Sequence, residues 1–99
     1  MQLIIKDKQY NVKYTIRSLF IFEQITGKPF EIKTLLDNYV FFYSMILANN
    51  PDTALLWDDF IDAIDGDAKL VEQLNKIVED YQKKDNLFTE EESDPSKKN

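Results

Sequence analysis

Polar and apolar positions alternate at the start of the chain and then shift to helical spacing. Leu3-Ile4-Ile5 and Tyr10-Asn11-Val12-Lys13-Tyr14 read as two strands, with Tyr10, Val12 and Tyr14 on one face. Lys6-Asp7-Lys8 is the polar turn between them. It lacks the glycine that the tightest hairpin turns prefer, so a slightly longer loop is expected. A lone hairpin is not stable in water. This one has to pack on the helices or pair with a strand from another chain.

Helical periodicity begins after Thr15. That residue can cap a first helix from Ile16 to about Thr26, stopped by Gly27 and kept from continuing by Pro29. Thr34 with Asp37 three positions later resembles a capping box and opens a second helix, which runs to about Asn49. Asn49-Asn50-Pro51-Asp52 ends it. A third, short helix covers Trp57 to Ile64, and Asp65-Gly66-Asp67 breaks it. Asp67 then caps a fourth helix through about Lys83. From Asn86 onward the chain has almost no apolar content. The organisation expected is one mainly α (α+β) domain over residues 1–84, an N-terminal β-hairpin followed by a bundle of about four helices, and a disordered acidic tail over 85–99.

The helical faces differ. In the fourth helix Leu70, Val71, Leu74, Ile77, Val78 and Tyr81 fall within an arc of about 120°, opposite Glu72, Lys76 and Glu79, as for a helix lying on a core. The second helix is apolar over most of its circumference: Leu35, Leu36, Tyr39, Val40, Phe42, Tyr43, Ile46 and Leu47 form one broad face, with Phe41 and Met45 outside it. The first is similar, with Ile16, Leu19 and Phe20 on one side and Ile21, Phe22 and Ile25 on the other. Such helices are either central to the fold or covered by a partner. On the partner reading the contact residues are Ile21, Phe22, Phe41 and Met45, with Trp57 as a further anchor, since Met and aromatic side chains suit an irregular apolar target. On the other reading the same residues are core, enclosed between the hairpin and the last two helices.

Composition narrows the chemistry. The chain has 99 residues, no cysteine and no histidine, which removes disulfides, thiolate nucleophiles, imidazole metal ligands and the usual general base near neutral pH. The first eleven residues show no basic start followed by a long apolar run, and Tyr39 to Ala48 is too short to span a bilayer, so a soluble, cytoplasmic protein is expected. The formal charge is −6, divided unevenly. Residues 1–51 carry six basic and four acidic side chains, whereas residues 52–99 carry six basic and fourteen acidic. An acidic second half repels phosphate and argues against nucleic acid.

Two acidic features are candidates for function, a cluster of Asp residues and Glu23. Asp58, Asp59, Asp62 and Asp65 gather on the third helix, where Asp58, Asp62 and Asp65 oppose Trp57, Phe60, Ile61 and Ile64. A calcium loop beginning at Asp65 would need a ligand where Lys69 stands, a Gly where Leu70 stands and a Glu where Lys76 stands, so the motif fails. Paired carboxylates for sugar hydrolysis need a cleft and an apolar pocket, and nothing in the pattern supplies either. An acidic face exposed to water, able at most to meet a basic partner, accounts for the cluster. Glu23 reads as a rim carboxylate bonded to a Tyr hydroxyl or to a Lys such as Lys28. No catalytic residue, cofactor site or metal site is expected.

The hairpin Leu3-Ile4-Ile5-Lys6-Asp7-Lys8-Gln9-Tyr10, followed by Ser18-Leu19-Phe20-Ile21-Phe22-Glu23-Gln24-Ile25-Thr26-Gly27-Lys28-Pro29-Phe30, resembles the tail assembly chaperones of long-tailed bacteriophages and prophages. The aromatic-Glu pair before Thr-Gly-Lys carries most of the resemblance. The order that follows extends it to about residue 65: a long apolar helix, the Asn49-Asn50-Pro51-Asp52 break and a short acidic helix. The hairpin turn without Gly, the full fourth helix and the acidic tail depart from the family pattern. The resemblance implies a non-enzymatic protein of the host bacterium's cytoplasm that binds the tail tape-measure protein, keeps it soluble while the tube assembles and is absent from the finished virion. It also implies the tube protein as a further partner and self-association into a homo-oligomer. The alternative from the residues alone is an acidic regulatory or adaptor protein that binds a basic partner.

Overall fold

Alternation and capping translate directly into the first elements. The computed structural model describes residues 2–80. Strands β1 (Gln2–Ile5) and β2 (Lys8–Asn11) form an antiparallel hairpin in which Leu3 faces Tyr10 and Ile5 faces Lys8. The turn is tighter than expected: only Lys6 and Asp7 lie between the strands, with φ of 50° and 66°. Two successive left-handed residues give the reversed twist that matches the twist of paired strands. Asp tolerates this conformation better than most residues, and Lys adopts it at some steric cost. The short turn also moves β2 toward the N-terminus of its expected span. It ends at Asn11, although the alternation continues: Tyr10 and Val12 are buried and Tyr14 is half-buried.

Helix α1 (Ile16–Thr26) starts on Thr15, whose hydroxyl accepts the Ser18 amide at 3.2 Å while Ser18 Oγ accepts the Thr15 amide. It ends on Gly27 at φ 73°, whose N–H bonds the Glu23 carbonyl. Helix α2 (Leu35–Asn49) has the same reciprocal cap, with Thr34 Oγ1 accepting the Asp37 amide at 3.0 Å and an Asp37 oxygen accepting the Thr34 amide at 3.2 Å. Helix α3 (Trp57–Gly66) runs two residues past its expected end. Gly66 remains helical and the break falls on Asp67 alone. Asp67 Oδ1 accepts the Lys69 amide at 3.0 Å and so caps α4, which is helical from 68 to the last described residue, 80. The expected end of that helix near Lys83 and the expected tail over 85–99 lie outside the described residues.

The core runs along α2. Val40, Phe41, Phe42, Met45 and Ile46 are all buried, and these residues spread over most of the helix circumference. The hairpin contributes Leu3, Ile5, Tyr10 and Val12; α1 contributes Phe22; and Leu55, Phe60, Leu70 and Leu74 arrive from the second half of the chain. Two aromatic groups organise the packing. Phe41 meets Tyr14 at 5.3 Å and Phe30 at 5.0 Å, and Phe30 meets Phe22 at 5.0 Å. Tyr43 meets Trp57 at 5.2 Å and Phe60 at 5.5 Å, and its hydroxyl donates to the Leu55 carbonyl at 2.6 Å. Buried Ser44 is satisfied by the Val40 carbonyl at 2.7 Å.

Candidate interaction surface

The five apolar residues singled out from the sequence do not form a surface. Phe22, Phe41 and Met45 are essentially inaccessible, Ile21 is half-buried, and Trp57 is half-buried with its ring against Tyr43 and Phe60. As a partner-binding face this set is corrected: Phe22, Phe41 and Met45 are core. The physical reason is that α2 sits at the centre, so its second apolar side is enclosed by the chain itself.

Apolar side chains do reach water elsewhere. On α1, Ile16 and Phe20 are 63% and 60% exposed and, with Arg17, Ile21 and Gln24, line an open depression. At the other end, Ile25, Ile32, Leu35 and Leu36 are exposed around the α1–α2 connection. The two helices run antiparallel, since Asn49 Nδ2 at the end of α2 bonds the Lys13 carbonyl before α1, while Lys28 after α1 reaches Asp37 in the first turn of α2. Ile16 with Phe20, and Ile25 with Leu35 and Leu36, therefore mark opposite ends of one helical pair. A helical wheel with apolar residues all round does not show which side faces inward. The available signal was polar: Arg17 and Gln24 fall between Phe20 and Ile21 on the wheel, and they mark the wet side.

The segment that carries the family resemblance has a structural explanation. Thr26 Oγ1 donates to the Phe22 carbonyl at 2.9 Å and lies 3.3 Å from the Lys28 amide. Gly27 supplies the left-handed turn. Glu23 accepts the Phe30 backbone amide at 2.8 Å, not a Tyr hydroxyl or Lys28 as expected, and this seats the Phe30 ring between Phe22 and Phe41. Lys28 instead pairs with the buried Asp37 carboxylate at 3.1 Å. Asp37 also accepts the Lys33 and Thr34 amides. The Lys33 amide and the Lys28 ammonium hold its carboxyl below the ordinary 3.8, outweighing the opposing effect of burial. Sequence reading marked Asp37 only as a cap; its burial and its pairing with Lys28 depend on the fold of the loop.

The break after α2, Asn49-Asn50-Pro51-Asp52, joins the hairpin to that helix. Asn50 Oδ1 accepts the Asn11 amide at 3.0 Å while Asn50 Nδ2 donates to the Asn11 and Ile46 carbonyls, each at 2.7 Å. Beside it lies a cleft of about 290 Å³ between β2 and the turn after α2, with Tyr10, Asn49 and Thr53 in its wall.

Asp58, Asp62 and Asp65 are exposed on α3, and Asp59 makes a 3.5 Å ion pair with Lys6 of the hairpin turn. Among the described residues no group of three potential ligands is close enough to hold a metal ion. No described helix is long and apolar enough to cross a membrane. Comparison with protein-family models, curated proteins and solved structures gives no match.

Proposed function

We propose that this protein is a tail assembly chaperone of a long-tailed phage or prophage, binding the tape-measure protein and keeping it soluble in the host cytoplasm until the tail tube encloses it. The observation that carries the reading is the exposed apolar surface of the α1–α2 pair, Ile16 and Phe20 at one end and Leu35 and Leu36 at the other, left over after a full core has formed. A long apolar helical client needs this kind of cover, and the strongly acidic second half of the chain would keep the complex in solution. The resemblance over residues 1–65 supplies the class of client. The chaperone acts by reversible coverage alone and leaves before the virion is complete.

The test is co-expression with a tape-measure protein. Phe20→Ser combined with Leu36→Ser should leave the fold intact and abolish co-purification. Retention of the client by that folded double variant would remove the proposal's basis. The exposed row of Asp58, Asp62 and Asp65 favours a second reading, an adaptor for a basic protein. That reading requires binding that weakens steeply with salt and is lost on charge reversal of Asp58 and Asp62. Binding that persists at high salt rejects it.

A further inference from the structure

The loop between α1 and α2 is held by side chains. Among the described residues, no backbone–backbone hydrogen bond involves residues 28–32. Pro29, Glu31 and Ile32 are exposed, while Lys28 and Phe30 reach back to the helices. Lys28 places its ammonium 3.1 Å from the Asp37 carboxylate, which is 4% exposed, and is the one described cation paired with it. Phe30 lays its ring 5.0 Å from those of Phe22 and Phe41, both buried, and its amide donates to Glu23 at 2.8 Å. A short bound peptide would make the same three contacts with a recognition slot: a cation on a buried carboxylate, a ring on an aromatic wall, and a backbone N–H on a second carboxylate. The Lys33 and Thr34 amides also bond Asp37, and they can stay there when residues 28–32 move, so α2 keeps its cap.

We propose that residues 28–32 are an internal occupant of a peptide-binding slot, which accepts in their place a partner segment bearing Lys or Arg followed two positions later by an aromatic residue. The walls define that chemistry. Asp37 requires a cation, because a buried carboxylate stripped of its partner is costly. Phe22 and Phe41 present ring edges and faces that a flat ring fills better than an aliphatic chain. Glu23 requires an N–H from the residue that carries the ring. Ile25, Ile32, Leu35 and Leu36 are exposed around the same connection, so displacement joins the slot to the apolar end of the α1–α2 pair. Self-occupation also sets selectivity. A partner meets only the fraction of molecules whose loop is open, so a segment lacking either the cation or the ring competes poorly. The slot stands on its geometry; only the assignment of the segment to the tape-measure client rests on the proposed function.

The probe is the synthetic peptide acetyl-Lys-Pro-Phe-Glu-amide, titrated into the full chain and followed by the nuclear magnetic resonance shifts of the Phe22 and Phe41 rings. Phe30→Ala removes the competing ring and should bind the peptide with a Kd below about 1 mM. That affinity should exceed the wild-type value by about tenfold or more. Replacing the peptide's Lys by Glu, or its Phe by Ala, should weaken binding by about tenfold or more. Phe30→Leu is the second variant should Phe30→Ala perturb folding. Independently, the wild-type Phe30 amide should exchange about tenfold or more faster than the Phe42 amide, at a rate insensitive to low urea, through local opening of the loop. A folded variant that does not bind the peptide overturns the proposal. So does equal affinity for wild type and variant, which places the peptide elsewhere, or a Phe30 amide that exchanges only on global unfolding. No tape-measure protein enters this experiment, so its failure and the failure of the co-purification test are distinct results.

Discussion

Single residues in this chain hold loops as much as they fill the core. Asp37 is the clearest case. Its carboxyl is held below its ordinary value in the folded state by the Lys33 amide and the Lys28 ammonium, so it favours folding while ionised. That contribution is fully present above the unfolded value of about 3.9 and is lost as pH falls through the lower folded value. Asp37→Asn should therefore lower the urea midpoint at neutral pH and flatten its decline on the acid side. An unchanged acid limb would show that the Asp37 contacts contribute no pH dependence. Asp7 gives a prediction of opposite sign. Its left-handed backbone carries a steric cost that Gly avoids, so Asp7→Gly should stabilise the protein by about 0.5–1 kcal/mol in denaturant unfolding.

At the scale of elements, sequence reading succeeded where a local chemical rule applied and failed where packing decided. Thr15, Gly27, Thr34 and Asp67 each mark a helix end by hydrogen bonding or backbone conformation available within a few residues, and each was legible. Which side of α1 and α2 faces inward was not, because that depends on where the hairpin and the last two helices land. Phe41 and Phe20 separate the two cases. Phe41→Ala should cost about 3–5 kcal/mol, since its ring is enclosed by Tyr14, Phe22 and Phe30. Phe20→Ser should stay within about 0.5 kcal/mol of wild type, because that ring already lies in water. The hairpin turn is shorter than its sequence suggests for a related reason: a Lys-Asp pair is an uncommon choice for two left-handed positions, and only the strand register shows that it is used.

For the molecule as a whole, a few long-range contacts join pieces that are far apart in sequence. Asn50 bonds Asn11 across 39 positions and Asn49 bonds Lys13 across 36, tying the hairpin to the end of the central helix. Asn50→Ala should cost about 1–3 kcal/mol, because it leaves the outward backbone groups of Asn11 without their partner, and it should speed exchange of the Asn11 amide. Neither asparagine was legible as more than a helix stop, since their partners lie a whole helical hairpin earlier. The mainly α architecture was legible in full, but the residues available to a client were not. The seam between α2 and α3 has a practical consequence of its own. The chain's one indole, Trp57, rests edge-on against Tyr43 at 5.2 Å, so its emission colour comes from a single emitter and serves as a built-in optical gauge of whether the short acidic helix is docked.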